Sequence, residues 1–203
     1  GLALLVNAKV RGTNFFRTVY FLPVVTSMVV VSMLWLFMYQ PDGLINVLLA
    51  KVGITGPDWL GDPNTALFAI IVLSIWQAVG FHMVIWLSGL QTIPGELYEA
   101  ASIDGASKWQ QFAHVTWPGL RQTSIFILIT LTIAAFSLFT QVNIMTQGGP
   151  LDSTSTLVYM AVFTGFQQQQ TGYAAAISLV FFALVLTVSL IQRYLTRDKE
   201  AIR

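Results

Sequence analysis

The sequence predicts an all-α membrane protein: a polytopic helical bundle of four full transmembrane helices, preceded by the tail of an earlier one. Three observations predict it. Of 203 residues, 55% are hydrophobic and only 9% charged, whereas a soluble domain carries roughly 25% charged residues. Mean hydropathy is +0.70. Four stretches stay apolar over the roughly 20 residues that a helix needs to cross the hydrocarbon core. A net charge of +1 gives no electrostatic case for nucleic-acid binding. With no Cys, there is no disulfide framework and no cysteine-based metal or redox site.

The chain opens GLALLVNAKVRG. A signal peptide places its basic residues ahead of the apolar run; here Lys9 and Arg11 follow it. The segment therefore reads as the tail of a transmembrane helix whose start is missing, and the chain as an N-terminally truncated transmembrane domain over 1–203. The first full span is 18–39 (TVYFLPVVTSMVVVSMLWLFMY), with a kink expected at Pro23. The others are 66–90, 122–141 and 173–192, and none of the four contains Asp, Glu, Lys or Arg. Turn-rich segments separate them: QPDG, ITGPDWLGDPN, TQGGPLDST and QQQQTG. GLINVLLAKVGI has the pattern of a short amphipathic helix on the membrane surface. Trp35, Tyr39 and Trp86, near span ends, are expected as interfacial anchors.

Basic residues set the topology. Lys9, Arg11, Arg17, Lys108, Arg121, Arg193, Arg197, Lys199 and Arg203 all fall on one side of an alternating path, and only Lys51 on the other. The crowded side is the cytoplasm. Both ends of the chain and the connection 95–119 are thus expected inside, with 40–65 and 142–172 outside.

That inner connection, GELYEAASIDGASKWQQFAHVTWPG, is out of keeping with its oily neighbours. Pro94 suits a helix start. Glu96 and Glu99 are expected in the first turn, where the helix dipole favours negative charge. Asp104-Gly105 breaks the run: Gly permits a left-handed turn and Asp is a good N-cap for the next helix. That second helix, about 106–115, would carry Trp109, Phe112 and Ala113 on one face and end at Pro118. Two readings stand at this point. The connection is either an interfacial helix pair lying on lipid headgroups, or a compact knob fitted to a groove on a cytoplasmic partner. Its acidic residues favour the knob, because anionic lipid repels them.

The stretch EAASIDGASKWQQFAHVTWP resembles the EAA loop of permease subunits of binding-protein-dependent ABC importers. Glu99, Ala100, Ala101, Asp104, Gly105, Ala106, Phe112 and Pro118 match that pattern, while Val115, Trp117 and Gln122 depart from it mildly. FFRTVYFLPVV, GPDWLGDP, TQGGPLDSTSTLVYM and GYAAAIS resemble the carbohydrate-uptake branch of the maltose and glycerol-3-phosphate type. The resemblance implies a bacterial inner-membrane location and import of a sugar, an oligosaccharide or glycerol phosphate. It also implies that the loop is a coupling helix docking on a separate ATP-binding cassette subunit, that a second permease subunit completes the pore, and that a solute-binding protein docks outside.

Energetics point the same way without the family. No G-x-x-x-x-G-K-[ST] phosphate loop occurs, so the chain binds no ATP by that mechanism and ATP is expected to serve a partner. Ion coupling normally needs intramembrane charge, and the spans offer only His82, more ordinarily a hydrogen-bonded packing residue. A channel, a secondary carrier or a membrane-embedded enzyme is correspondingly disfavoured, and no catalytic or metal residue is assigned. For the solute path, Thr130, Ala134, Ser137 and Gln141 recur at helical spacing in the third span, and Gln77 lies mid-way along the second. Small and hydroxyl residues also serve helix packing, whereas Gln77 and Gln141 are costly to bury unpaired. The two amides are therefore the preferred path residues.

Overall fold

Every regular element among the described residues is helical, as a chain crossing hydrocarbon requires of its backbone. The computed structural model describes residues 1–7 and 13–196, with the backbone alone for Thr13 and Asn14. Lys9, Arg11, Arg197, Lys199 and Arg203 of the predicted basic side lie outside the described residues. In chain order, α1 is Leu2–Asn7, α2 Thr13–Val25, α3 Met28–Met38, α4 Leu44–Lys51 and α5 Ala66–Gln91. There follow α6 (Gly95–Ile103), α7 (Lys108–Gln111), a π-helical turn (Phe112–Thr116), α8 (Trp117–Gly119) and α9 (Arg121–Phe136). The chain continues with α10 (Thr140–Met145), α11 (Leu157–Val162), a second π turn (Phe163–Gln167) and α12 (Thr171–Thr196).

The second and fourth predicted spans are the 26-residue helices α5 and α12. The first is not one helix. It divides into α2 and α3 at Thr26 and Ser27, and the break comes after Pro23 rather than at it. Pro23 still contributes, since its missing N–H leaves the preceding turn one bond short. Ser27 then takes an extended conformation (φ −55°, ψ 130°), and its carbonyl accepts from Val31 N at 3.0 Å to start α3. The third predicted span ends as a regular helix at Phe136 and resumes at Thr140 as α10.

By contacts the chain forms two units. One comprises Gly1–Val25 and Gln77–Leu131, the other Thr26–Trp76 and the chain from Thr132 onward. The first packs Ala3, Val6, Met83, Leu87, Leu90 and Leu120. Glycine sets its helix spacing: a Cβ at Gly80 would fall on the Tyr20 carbonyl, so α5 meets α2 at backbone contact.

The second unit packs Val31, Tyr39, Ala69, Ile70, Leu73, Val142, Met145 and Tyr159. Tyr39 is therefore not the interfacial anchor expected of it. It is 3% exposed, its hydroxyl donates to Ala69 O at 3.0 Å, and its ring lies between Trp35 and Trp59. The rule for aromatic residues at span ends does not see a carbonyl waiting in the core. In the connection after α3, Asn46 of α4 donates to Pro41 O (3.2 Å) and Pro57 O (3.3 Å) and accepts from Trp59 Nε1 (2.8 Å). One amide thus pins a segment of nearly twenty residues.

Gly80→Ala forces a Cβ against rigid backbone and should destabilise the folded protein by about 1–3 kcal/mol. Gly172→Ala, where nothing lies within 4 Å, should be neutral or slightly stabilising. Thermal unfolding of the two variants in detergent checks this, and equal midpoints would contradict the close crossing.

Candidate functional site

The connection between α5 and α9 is built from local motifs. Pro94 is the N-cap of α6, as its ring predicts, and Glu96 lies in the first turn. Because the helix starts at Gly95, Glu99 falls in the second turn rather than the first. The helix closes with a Schellman motif. Ala106 N donates to Ala101 O at 2.9 Å, Gly105 N to Ser102 O at 3.1 Å, and Gly105 sits at φ +74°. Nothing lies within 4 Å of a Cβ placed there, so the glycine answers to backbone conformation and not to space.

The next helix is capped by Ser107, not by Asp104. Gln110 N donates to Ser107 Oγ (3.3 Å) and Ser107 N to Gln110 Oε1 (2.7 Å), a complete capping box. Asp104 is instead the C-cap of α6. Nor does Pro118 end the run. The helix passes through the π turn, α8 carries Pro118 to Gly119, and α9 begins after the single turn residue Leu120. The π turn accommodates the proline: Trp117 N–H reaches back five residues to Phe112 O, resetting the ladder just before the residue that has no N–H to give.

Three polar contacts lock the two arms. Tyr98 Oη and Thr116 Oγ1 are 2.9 Å apart, and Gln111 Nε2 donates to Ser102 Oγ (2.9 Å) and Ala106 O (3.3 Å). Gln111 and Thr116 are buried. In such surroundings an unmade bond costs more than a made one contributes, which favours a single angle between the arms. Trp109 stacks on Phe112, with ring centroids 5.6 Å apart. Among the predicted residues, Glu99, Ala100, Asp104, Gly105 and Pro118 are exposed, whereas Ala101, Ala106 and Phe112 are half-buried in the fold of the V. Ile103 (87%) and Trp109 (74%) are also exposed. Tyr98, Ser102, Ser107, Gln111 and Thr116 were not singled out from sequence. Of these, only Ser107 had a legible signal, the S-x-x-Q spacing of SKWQ.

The second candidate region is the interruption of the third span. Residues 137–139 are unwound between α9 and α10. Thr156 Oγ1 donates to the freed Leu138 carbonyl at 2.8 Å, and Asn143 N takes up Phe139 O at 2.8 Å. Ser137 is exposed, with its hydroxyl returned to Ile133 O at 2.9 Å. The single face expected over Thr130, Ala134, Ser137 and Gln141 is therefore cut: Gln141 belongs to α10. It is buried, with Nε2 3.4 Å from Ser74 Oγ. Thr130 donates within its own helix to Ile127 O at 3.0 Å. Gln77 reaches Pro23 O at 3.5 Å, a long contact to a carbonyl left over where α2 ends. His82 Nδ1 lies 2.9 Å from Ala78 O on the same helix.

The comparisons with known proteins agree with this geometry. The family model described as binding-protein-dependent transport system inner membrane component matches residues 1–200. The chain is 41% identical over 194 residues to the probable ABC transporter permease protein YurN of Bacillus subtilis, covering 94% of this chain and 66% of that protein. It is 39% identical over 203 residues to the lactose transport system permease protein LacF of Rhizobium radiobacter (98% and 68% covered). It is 35% identical over 190 residues to the trehalose/maltose transport system permease protein MalF of Thermococcus litoralis (93% and 64%). It thus spans about two-thirds of the length of these relatives. A bacterial ABC transporter that imports alginate has the same fold, with TM-score 0.89 at 24% identity over 98% of this chain and 71% of that one. Helical spans, an EAA-type connection folded as a locked V, and a family match along nearly its whole length lead to one assignment: the chain belongs to the family of binding-protein-dependent transport system inner membrane components.

Proposed function

We propose that the chain is the membrane-spanning part of an ATP-driven importer of a sugar or oligosaccharide. The solute class rests on relatives whose names refer to lactose and to trehalose and maltose. The observation that carries the coupling role is the locked V at 95–116, whose exposed rim combines Ile103 and Trp109 with Glu99 and Asp104. A surface that is held at one angle and exposes both apolar and acidic side chains suits docking in a groove of a soluble ATPase subunit. ATP is then used by that subunit and not by this chain. A second permease subunit completes the path, and a solute-binding protein delivers from outside. The solute runs past the unwound residues 137–139, because non-helical backbone at membrane depth is tolerated where it lines a cavity. Ser137 faces that path. Gln141, held by Ser74, lies on the same unit as that break, and Gln77 and Thr130, held at Pro23 and Ile127 of the other unit, are further candidates for lining the solute's route. The connection 95–119 and both chain ends face the cytoplasm of a bacterial inner membrane.

Three outcomes are expected. A single cysteine placed at Asp104 in this Cys-free chain should react with an impermeant maleimide only in inverted vesicles, and labelling in intact cells would reverse the orientation. Gly105→Val forces a β-branched residue into the left-handed region at about 1–2 kcal/mol. Pull-down of the ATPase subunit and solute-stimulated ATP hydrolysis should then fall together by about five- to thirtyfold; wild-type values for both would reduce the V to a connector. Ser137→Trp should cut solute uptake by about tenfold or more by steric block while ATPase docking stays normal. Unchanged uptake would move the path elsewhere.

A further inference from the structure

The first unit carries a groove that the transport reading does not use. Arg17, Thr18, Phe21, Leu22 and Val25 lie along one face of α2, and with Val84 of α5 they line an open cavity of about 400 Å³. Phe21, Leu22, Val25 and Val84 are all exposed, so one wall after another is uncovered hydrocarbon. Arg17 is the exception, at one end. Its Nε is shut off from solvent with no hydrogen-bond partner among the described residues, so an occupant of the groove meets the partly exposed remainder of the side chain and not that atom. A guanidinium holds its proton at any relevant pH and presents its donors as a rigid fork.

An occupant must meet both ends of this groove at once. It has to present an oxyanion to the fork at Arg17 and hydrocarbon over the eight residues from there to Val25, about 12 Å of helix. Free phosphate would satisfy only the first requirement, and an apolar helix only the second. Arginine near a helix end, with its stem along apolar surface and its head toward the polar layer, is the arrangement that meets lipid headgroups. We propose that this groove holds one anionic phospholipid, its phosphate paired with Arg17 and an acyl chain along Phe21, Leu22 and Val25. The site would tie the complex to membrane composition. It stands whichever way the chain is oriented, because either leaflet can supply such a lipid.

The test uses the full-length protein assembled with its partner subunits, delipidated in detergent and titrated with phosphatidylglycerol or phosphatidylcholine under native mass spectrometry. Wild type should retain one phosphatidylglycerol per copy of this chain, at least about tenfold more tightly than phosphatidylcholine. Arg17→Gln should lose that preference, Arg17→Lys should keep part of it, and Val84→Trp, which fills the groove and leaves the cation in place, should hold neither lipid. Equal retention of both lipids by wild type, or an undiminished preference in Arg17→Gln, would overturn the proposal. So would a wild type that carries no lipid while Arg17→Gln and Val84→Trp fail to assemble, since the groove would then be a contact between protein segments.

Discussion

Hydrocarbon offers no water to a broken helix, so every N–H and C=O released by an interruption must find a partner within the protein. That constraint organises this molecule. Within the spans the chain interrupts its helices between α2 and α3 and between α9 and α10, and in the exposed connection outside them between α6 and α7; each interruption has chemistry assigned to it. Gln77 reaches toward the end of α2, a Schellman motif and a capping box share the turn at 104–107, and Thr156 takes the Leu138 carbonyl. Irregular backbone is expensive in this environment. Where it is kept and supplied with partners, it marks the places at which the chain departs from a plain crossing helix.

The two candidate regions use this in opposite ways. The V at 95–116 makes its own partners, from side chains within the same short stretch, and it turns exposed apolar and acidic groups outward on a rigid frame. The break at 137–139 borrows its main partner from Thr156, 18 residues further along the chain. A surface that must keep its angle is served by the first arrangement. A segment that is unwound while its two ends stay fixed is served by the second.

Much of the fold was legible because membrane crossing depends on length and apolarity alone, and α5 and α12 fall where those two properties put them. Gly105 was legible because only a left-handed turn explains a glycine between two short helices of this kind. The breaks at Thr26–Ser27 and at 137–139 were not, since neither holds Gly or Pro and the second depends on a hydroxyl distant in sequence. Tyr39 misled for a related reason: its position along the span says interface, whereas Ala69 O and the Trp35 and Trp59 rings draw it inside. Asp104 reads as the cap because Asp is a favoured N-cap residue. Ser107 prevails because the capping box needs its partner Gln110 three residues on, and Asp104 is occupied at the end of the preceding helix.

All the contacts that set the angle of the V lie between Tyr98 and Thr116, so its loop closures are short. Short closures form on the timescale of about a microsecond, well ahead of the long-range packing of spans. During synthesis this piece would therefore be a finished surface while the helices on either side of it are still finding their neighbours. The order in which the chain acquires its shape, inner connection first and spans afterwards, is then a consequence of one glycine, two serines and the residues that hold them.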